Sequence, residues 1–595
     1  MAREFRTRTL GVLLACAAGF GLIGCGGGRE DAARPAPVAA KFVVGPAPLL
    51  PPTTLPLHIE GMYITQRSQR RDQSVPLVKG QAGVLRVFVT ADHWDGPGPA
   101  VEVRIVSQGG TVHTERIEPP GDRVPQILNE AVLADSWNLR LPGNQIQPGN
   151  AVQVRLLAPV GVRTGNLEYP EDGTALPMNV VEVAPFRIAL VPVSSGGQVG
   201  QVLGGGRTAA SWVEALRQQF PLGEIRVRVA DVFHTTQAVD DDHGLNALLG
   251  ELEALRQADR GPDDEYFYGV YPTRYGTRQP RGRAYTKVHP DRVERSAIGC
   301  DITGQRPGFN YMDILAHEIG HNLGLRHAPC GKPQWPLHVD PRFPYGEGGI
   351  GACGFDVVAW KTKDPTVYKD LMSYCEPTWC SDYGCRAVLA FRAGEAVEPS
   401  RPAGDQDQDG LLVQGLLDQG RVSLQPAFQV RRPPLTPESG EYVLSALDSA
   451  GRVLERVPFA ILTDEDDPEG DAEGSFTFVL PLTRAQLDSL ALLRVTQDGA
   501  VLAELRSSAH GPRTGQVAGG GERFHPRAGR DSHGRVHLRW DSGSYPEAMV
   551  KDARTGHVLA LGPGGRLDLA SRAQSLVCLF SDGLRTILRR VAVRR

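Results

Sequence analysis

The chain has no excess of basic charge: 64 lysines and arginines stand against 68 acidic residues, a formal net charge of −4. That argues against a general nucleic-acid-binding role, which normally shows a basic patch or stripe. Six cysteines fall between Cys300 and Cys385, yet none of their spacings is a C-x-x-C pair, which argues against a thiolate-held zinc. The glycines at 204–206 precede a helical pattern, but no Gly-Lys-Ser/Thr follows, so they read as a flexible turn and not as a phosphate loop. The apolar run 10–23 is short for a membrane span.

What is present is long and punctuated. At 595 residues, with 69 glycines and 46 prolines, the chain should divide into several domains joined by turns and linkers. Arg3, Arg6 and Arg8 ahead of the run 10–23 have the form of a signal peptide. Residues 26–56 are rich in proline and alanine and read as an extended tether. From 57 to 184 period-two alternation, as in Val101, Val103 and Ile105, predicts a β-sandwich with Trp137 in its core. Residues 185–394 follow a β-α-β-α-β order that predicts a mixed sheet backed by helices. A linker at 395–410 and two β domains, 411–508 and 522–595, complete the expected order.

Chemistry concentrates at His317-Glu318-Ile319-Gly320-His321-Asn322-Leu323-Gly324-Leu325-Arg326-His327. On a helix His317 and His321, four apart, project from one face and can reach one metal ion. Asn310 is the predicted N-cap, and Gly324 can take the left-handed conformation that ends the helix and turns the chain back, so that His327 becomes a third ligand. Three protein ligands leave a fourth zinc position for water, and Glu318 stands next to the metal as the general base on that zinc-bound water. Between that sheet and this helix, the stretches 282–288 and 297–300 are the candidate edge strands above the cleft, to which an extended peptide could add. His338 and Asp340 read as loop residues in proline-rich surroundings.

The motif H-E-x-x-H-x-x-G-x-x-H resembles the metzincin clan of zinc metallopeptidases, whose second mark is a downstream methionine turn. Asp370-Leu371-Met372-Ser373-Tyr374-Cys375 is similar to that turn. The resemblance implies a role for Met372 beneath the metal and for Tyr374 as a hydrogen-bond donor to the transition state. The two blocks look most like the secreted StcE-like peptidases, which include mucin cleavers, over roughly 186–395; Cys380 and Cys385 depart from that pattern. Leu22-Ile23-Gly24-Cys25 resembles the lipobox of bacterial lipoproteins, with Cys25 lipidated and Gly26 in the position where aspartate retains a protein at the inner membrane.

The resulting expectation is an exported, multidomain lipoprotein displayed at the outer membrane or cell surface, anchored to the membrane through Cys25. Its α/β metzincin-like domain, flanked by all-β sandwich-like domains, would hydrolyse extracellular proteins or glycoproteins with one Zn2+. The alternative is a non-catalytic surface adhesin or binding lipoprotein. Asp405, Asp407 and Asp409 reproduce half of a Ca2+ loop, but position twelve is Leu416, so a solvated linker is the first reading and calcium the second. The six cysteines could form three disulfides, Cys330 with Cys353 being the preferred pair, while Cys578 reads as a buried free thiol.

Overall fold

The computed structural model describes residues 57–594 except 93, 95, 161–163, 260, 275–280, 288, 305–309, 332–338, 398–407, 433, 436, 464–472 and 508–523. The signal segment with Cys25, the tether, His338, Asp405 and Asp407 therefore lie outside the described residues. The protein is multidomain and mostly β-sheet. No described helix is long and apolar enough to cross a membrane.

The N-terminal domain sets a three-stranded sheet, built from Leu57–Thr65, Gly83–Ala91 and Trp137–Leu141, against a five-stranded sheet centred on Val101–Val106 and Ala151–Leu156. Alternate residues of both sheets face one core, in which Val87, Val101, Val154 and Trp137 are fully buried. The Trp137 indole N–H is satisfied by the Pro99 carbonyl at 3.0 Å, the condition under which a tryptophan can be buried whole.

In the central domain Phe186–Ser195 pairs in parallel with Ile225–Val229 on one side and Tyr266–Tyr271 on the other. Ser296–Cys300 continues the parallel set, and Gly282–Ala284 closes the edge antiparallel to it. A parallel sheet needs cover on both faces, and the pleat of one strand shows how it is given. Ala189, Val191 and Val193 face helix α2 (Asp242–Ala258). Ile188 and Leu190 face helices α1 (Ala209–Gln219) and α3 (Tyr311–Asn322). Capping sets both flanking helices: Thr208 and Ser211 form a capping box on α1, and the Asp241 carboxylate accepts from Gly244 N on α2.

The chain ends in two β units. The first packs a five-stranded sheet containing Gln408–Asp418 against a four-stranded sheet containing Tyr442–Asp448, around a core of Leu411, Phe459, Phe476 and Leu493. Asp409 lies in the first of these strands, opposite Arg431. The last unit, from Arg527 onward, joins its strands to the central sheet through the pairing of His234 with Ala560. Both units close over α2: Leu412, Phe428, Val479, Met549 and Leu561 share one core with Leu245, Leu248 and Leu252. Every residue of α2 from Gly244 to Ala258 is buried, so this helix lies between the central parallel sheet and two β domains instead of facing water.

Burial at this junction has a price in titration. Glu251 of α2 accepts hydrogen bonds from Thr235 and Gln237, yet burial dominates and pushes its pKa from 4.5 up to about 8. Glu547 from the last domain is pushed by burial to about 7. A folded-state value above the unfolded one means that the stabilisation is complete below the unfolded pKa and is lost as pH rises through the folded one. The apparent Tm should therefore fall between about pH 5 and pH 9. Glu251→Gln, which keeps the shape without the proton, should flatten that fall by at least ~2–4 °C. Thermal scans across pH check this; equal slopes for the two proteins would refute it.

Candidate metal centre

Helix α3 starts where the Asn310 side chain accepts from Met312 N at 2.7 Å and stops at a turn in which Gly324 has φ +84°. Leu325 N then donates to Gly320 O and Gly324 N to His321 O, each at 3.0 Å, satisfying carbonyls that the helix end would leave exposed. The reversed chain brings His327 back alongside the helix. Its Nε2 lies 3.3 Å from Nε2 of His317, and the ligand atoms of His317, His321 and His327 all fall within 4.8 Å of one another. Among the described residues this is the one group of three or more His, Cys, Asp or Glu so arranged.

The tautomers follow from the surrounding carbonyls. His317 Nδ1 lies 3.1 Å from Leu371 O and His321 Nδ1 lies 2.9 Å from Leu325 O. A carbonyl oxygen only accepts, so each Nδ1 carries the proton and each Nε2 keeps its lone pair. That is the arrangement by which neighbouring groups orient metal-binding histidines. The 3.3 Å between His317 and His327 matches zinc, because two ligands of a tetrahedral ion bound at about 2.0–2.1 Å stand about 3.3–3.4 Å apart, and His321 lies within 4.8 Å of both.

Glu318 is buried and its carboxylate lies against the edge strand: a Cβ added to Gly282 would come within 2.2 Å of Oε1. Only glycine at that point of Gly282–Ala284 leaves room for the carboxylate. Beneath the helix, Met372 is buried with Sδ 2.5 Å from where a Cβ on Gly320 would stand. Its turn is fixed by Asp370, whose carboxylate accepts from Met372 N at 2.8 Å and Ser381 N at 3.1 Å. Burial raises the Asp370 pKa, and these hydrogen bonds oppose the rise. Ala328 N donates to Met372 O at 2.9 Å, tying the third histidine's loop to the same turn. The Tyr374 ring is centred 4.9 Å from that of His327 and 6.0 Å from that of His317, and it is 42% exposed.

The structure thus brings together His317, Glu318, His321, His327, Met372 and Tyr374, all singled out by sequence. It corrects the disulfide. Cys330 is bonded to Cys375, 45 residues on, and joins the loop after His327 to the residue after Tyr374. Cys353 is drawn the other way, towards the N-terminal domain, with its thiol 3.5 Å from Arg86 Nη1 and 3.3 Å from Glu130 O. Cys578 is buried as a free thiol. Asp340 accepts from Tyr383 at 2.6 Å and from Arg342 N at 2.9 Å, a loop-bracing role. The orienting carbonyls of Leu325 and Leu371 and the close approach at Gly282 carried no signal in sequence; Asp370, two residues before Met372, could have been found from the tendency of aspartate to bond the backbone two residues on.

No protein-family model matches the chain, and no curated protein matches it. Three solved structures show distant likenesses. A β-glycosidase from Bacteroides vulgatus is 8% identical over 90% of this chain and 80% of that one, with TM-score 0.13. A putative β-galactosidase from Bacteroides fragilis is 12% identical over 74% and 73%, with TM-score 0.14. A tetra-tandem repeat from the extending region of a large adhesion protein is 10% identical over 90% and 97%, with TM-score 0.10. At such TM-scores these likenesses carry no argument, and the reading rests on the chain's own residues.

The fit between Gly320 and Met372 is open to test. Gly320→Ala should destabilise the protein by ~1–3 kcal/mol, the usual cost of forcing a methyl group into a packed core. Combining it with Met372→Ala should cost less than the sum of the two single changes, because they share one space. Denaturant titration of the three variants measures both statements; a neutral Gly320→Ala would show that the helix does not rest on the methionine.

Proposed function

We propose that the protein is a zinc-dependent endopeptidase of the metzincin type, similar to the StcE-like peptidases, acting on extracellular proteins or glycoproteins. The observation that carries this reading is the convergence of three histidine nitrogens within 4.8 Å, two of them with tautomers set by carbonyls, beside a buried glutamate. His317, His321 and His327 would hold the ion. Zinc so held supplies Lewis acidity at the scissile carbonyl and lowers the pKa of water.

The remaining steps belong to side chains. Glu318 takes a proton from the attacking water and passes it to the leaving amine. Its tight lodging against Gly282 keeps the carboxylate from swinging away between the two transfers. Tyr374, exposed at the open side of the histidine cluster, donates a hydrogen bond to the oxyanion as charge develops. Met372 supports the helix from below and takes no part in proton transfer.

Glu318→Gln should keep zinc and fold while abolishing detectable turnover on a panel of mucin-type and plain proteins. Tyr374→Phe should lower kcat by about 10²–10³-fold, the range for losing one oxyanion donor. Metal analysis with cleavage mapped by mass spectrometry reads both. A wild-type protein that holds zinc yet cuts nothing in the panel would favour a binding lipoprotein, and near-normal turnover in Glu318→Gln would remove the general-base role.

The same proposal places the enzyme at a membrane surface through a lipid on Cys25, on the strength of its lipobox-like sequence. Cys25→Ser should shift the protein from the membrane fraction to the soluble fraction without altering specific activity, since the anchor and the histidine cluster occupy separate segments. Persistence of the variant in membranes after signal removal would argue against lipidation.

A further inference from the structure

Outside the metal centre, Cys380 and Cys385 form a buried pair at the junction of three parts of the molecule. Their Sγ atoms stand 3.0 Å apart, inside the roughly 3.5–4.0 Å at which non-bonded heavy atoms rest and beyond the ~2.05 Å of a disulfide. Each residue is 1% exposed, and with Val75 of the N-terminal domain they form a small apolar cluster of their own. The backbone around them is held from several sides. Cys380 N donates to Gln219 Oε1 at the end of α1 at 3.1 Å, and Ser68 Oγ of the N-terminal domain donates to Cys380 O at 2.6 Å. Cys385 N donates to Ser381 O at 2.9 Å, in the first turn of helix α4 (Asp382–Val397).

We propose that Cys380 and Cys385 form a second structural disulfide, which staples the start of α4 to the segment that supports the methionine turn. Formation is a thiol–disulfide exchange with an external disulfide such as oxidised glutathione. Two S–H bonds are lost, one S–S bond forms, and the external disulfide takes up the two electrons and two protons as two thiols. The residues enclosed by the bond do work for their neighbours: Ser381 N donates to Asp370, which fixes Met372, and the Asp382 carboxylate accepts from Tyr345 at 2.5 Å and Arg386 at 3.2 Å. A covalent link across this short loop fixes those donors and acceptors without lengthening the chain. The inference does not depend on the proposed peptidase activity.

Burial also decides what kind of bond this is. It raises the Cys380 thiol well above its usual range, and exchange requires a thiolate that a partner can reach. The bond therefore forms while the chain is folding and is shielded once α4 has docked. It is a staple and not a switch.

The full-length protein, secreted into an oxidising compartment or refolded in a glutathione buffer, is denatured and alkylated without reductant, then digested with trypsin. Mass spectrometry should find 327–342 joined to 370–386 by the bridge from Cys330 to Cys375, with no alkyl group and two hydrogens lighter than a single bridge requires. Native protein treated with dithiothreitol before alkylation should leave Cys380 and Cys385 unlabelled, with full labelling once denaturant is added. Cys385→Ser should expose one new alkylatable thiol, at Cys380. Alkyl groups on both cysteines of the unreduced wild type, or a bond from either to Cys300 or Cys353, would overturn the proposal, and labelling in the reduced native state would overturn the staple.

Discussion

His317 and His327 meet because a helix stops at one particular residue. If α3 ran one turn further, the backbone after His321 would continue along the axis and carry residue 327 away from the first two histidines. Gly324, at φ +84°, converts continuation into reversal, and the turn is held by main-chain bonds to Gly320 and His321. The end of the helix is itself pressed against α4, since a Cβ on Gly324 would come within 2.6 Å of the Phe391 ring. One backbone conformation thus sets the position of the third histidine and the approach of the closing helix together.

The platform below has a corresponding logic. A methionine is flexible and polarizable, and it fills irregular space well but specifies it poorly. Here the specification comes from around it: Asp370 fixes the turn, Leu371 O engages His317, and Met372 O engages Ala328. The bond between Cys330 and Cys375 closes the loop after His327 onto the same turn. The turn therefore orients one histidine directly and the loop of another, which is why a side chain with little shape of its own can sit beneath the helix at contact distance.

How much of this could be read from residues alone differs by level. The β-α-β-α-β order expected for 185–394 recurs in the strands Phe186–Ser195, Ile225–Val229 and Tyr266–Tyr271 with helices α1 and α2 between them, because each helix lays an apolar face on the sheet. That His317, His321 and His327 come together was legible because their spacing on and just after a helix brings them to one face, whereas Met372 and Tyr374 were picked out only by the likeness of their turn to that of the metzincins. What could not be read is long-range. The full burial of α2 arises from domains more than a hundred residues away, and its sequence shows only leucines on one face with Glu251, Glu253 and Arg256 on others. Those charged groups are satisfied internally, as in the pairing of Glu253 with Arg256 at 2.7 Å, so charge along a helix was no sign of solvent. The disulfide was not legible for a related reason: Arg86 and Glu130, from another domain, hold the Cys353 thiol away from Cys330.

The orientation of the histidines adds a further point about where specification resides. In many metal sites a carboxylate side chain holds the second ring nitrogen, and such a residue can be recognised in sequence and altered by substitution. Here Leu371 and Leu325 do so with their carbonyls. Any side chain compatible with the local backbone would serve at those two positions as far as the tautomer is concerned, so substitutions there act through packing and not through proton placement. The ring orientations of His321 and His317 therefore follow from the turns at Gly324 and Met372, with the Thr286 hydroxyl 3.3 Å from His321 Nδ1 as a further contact.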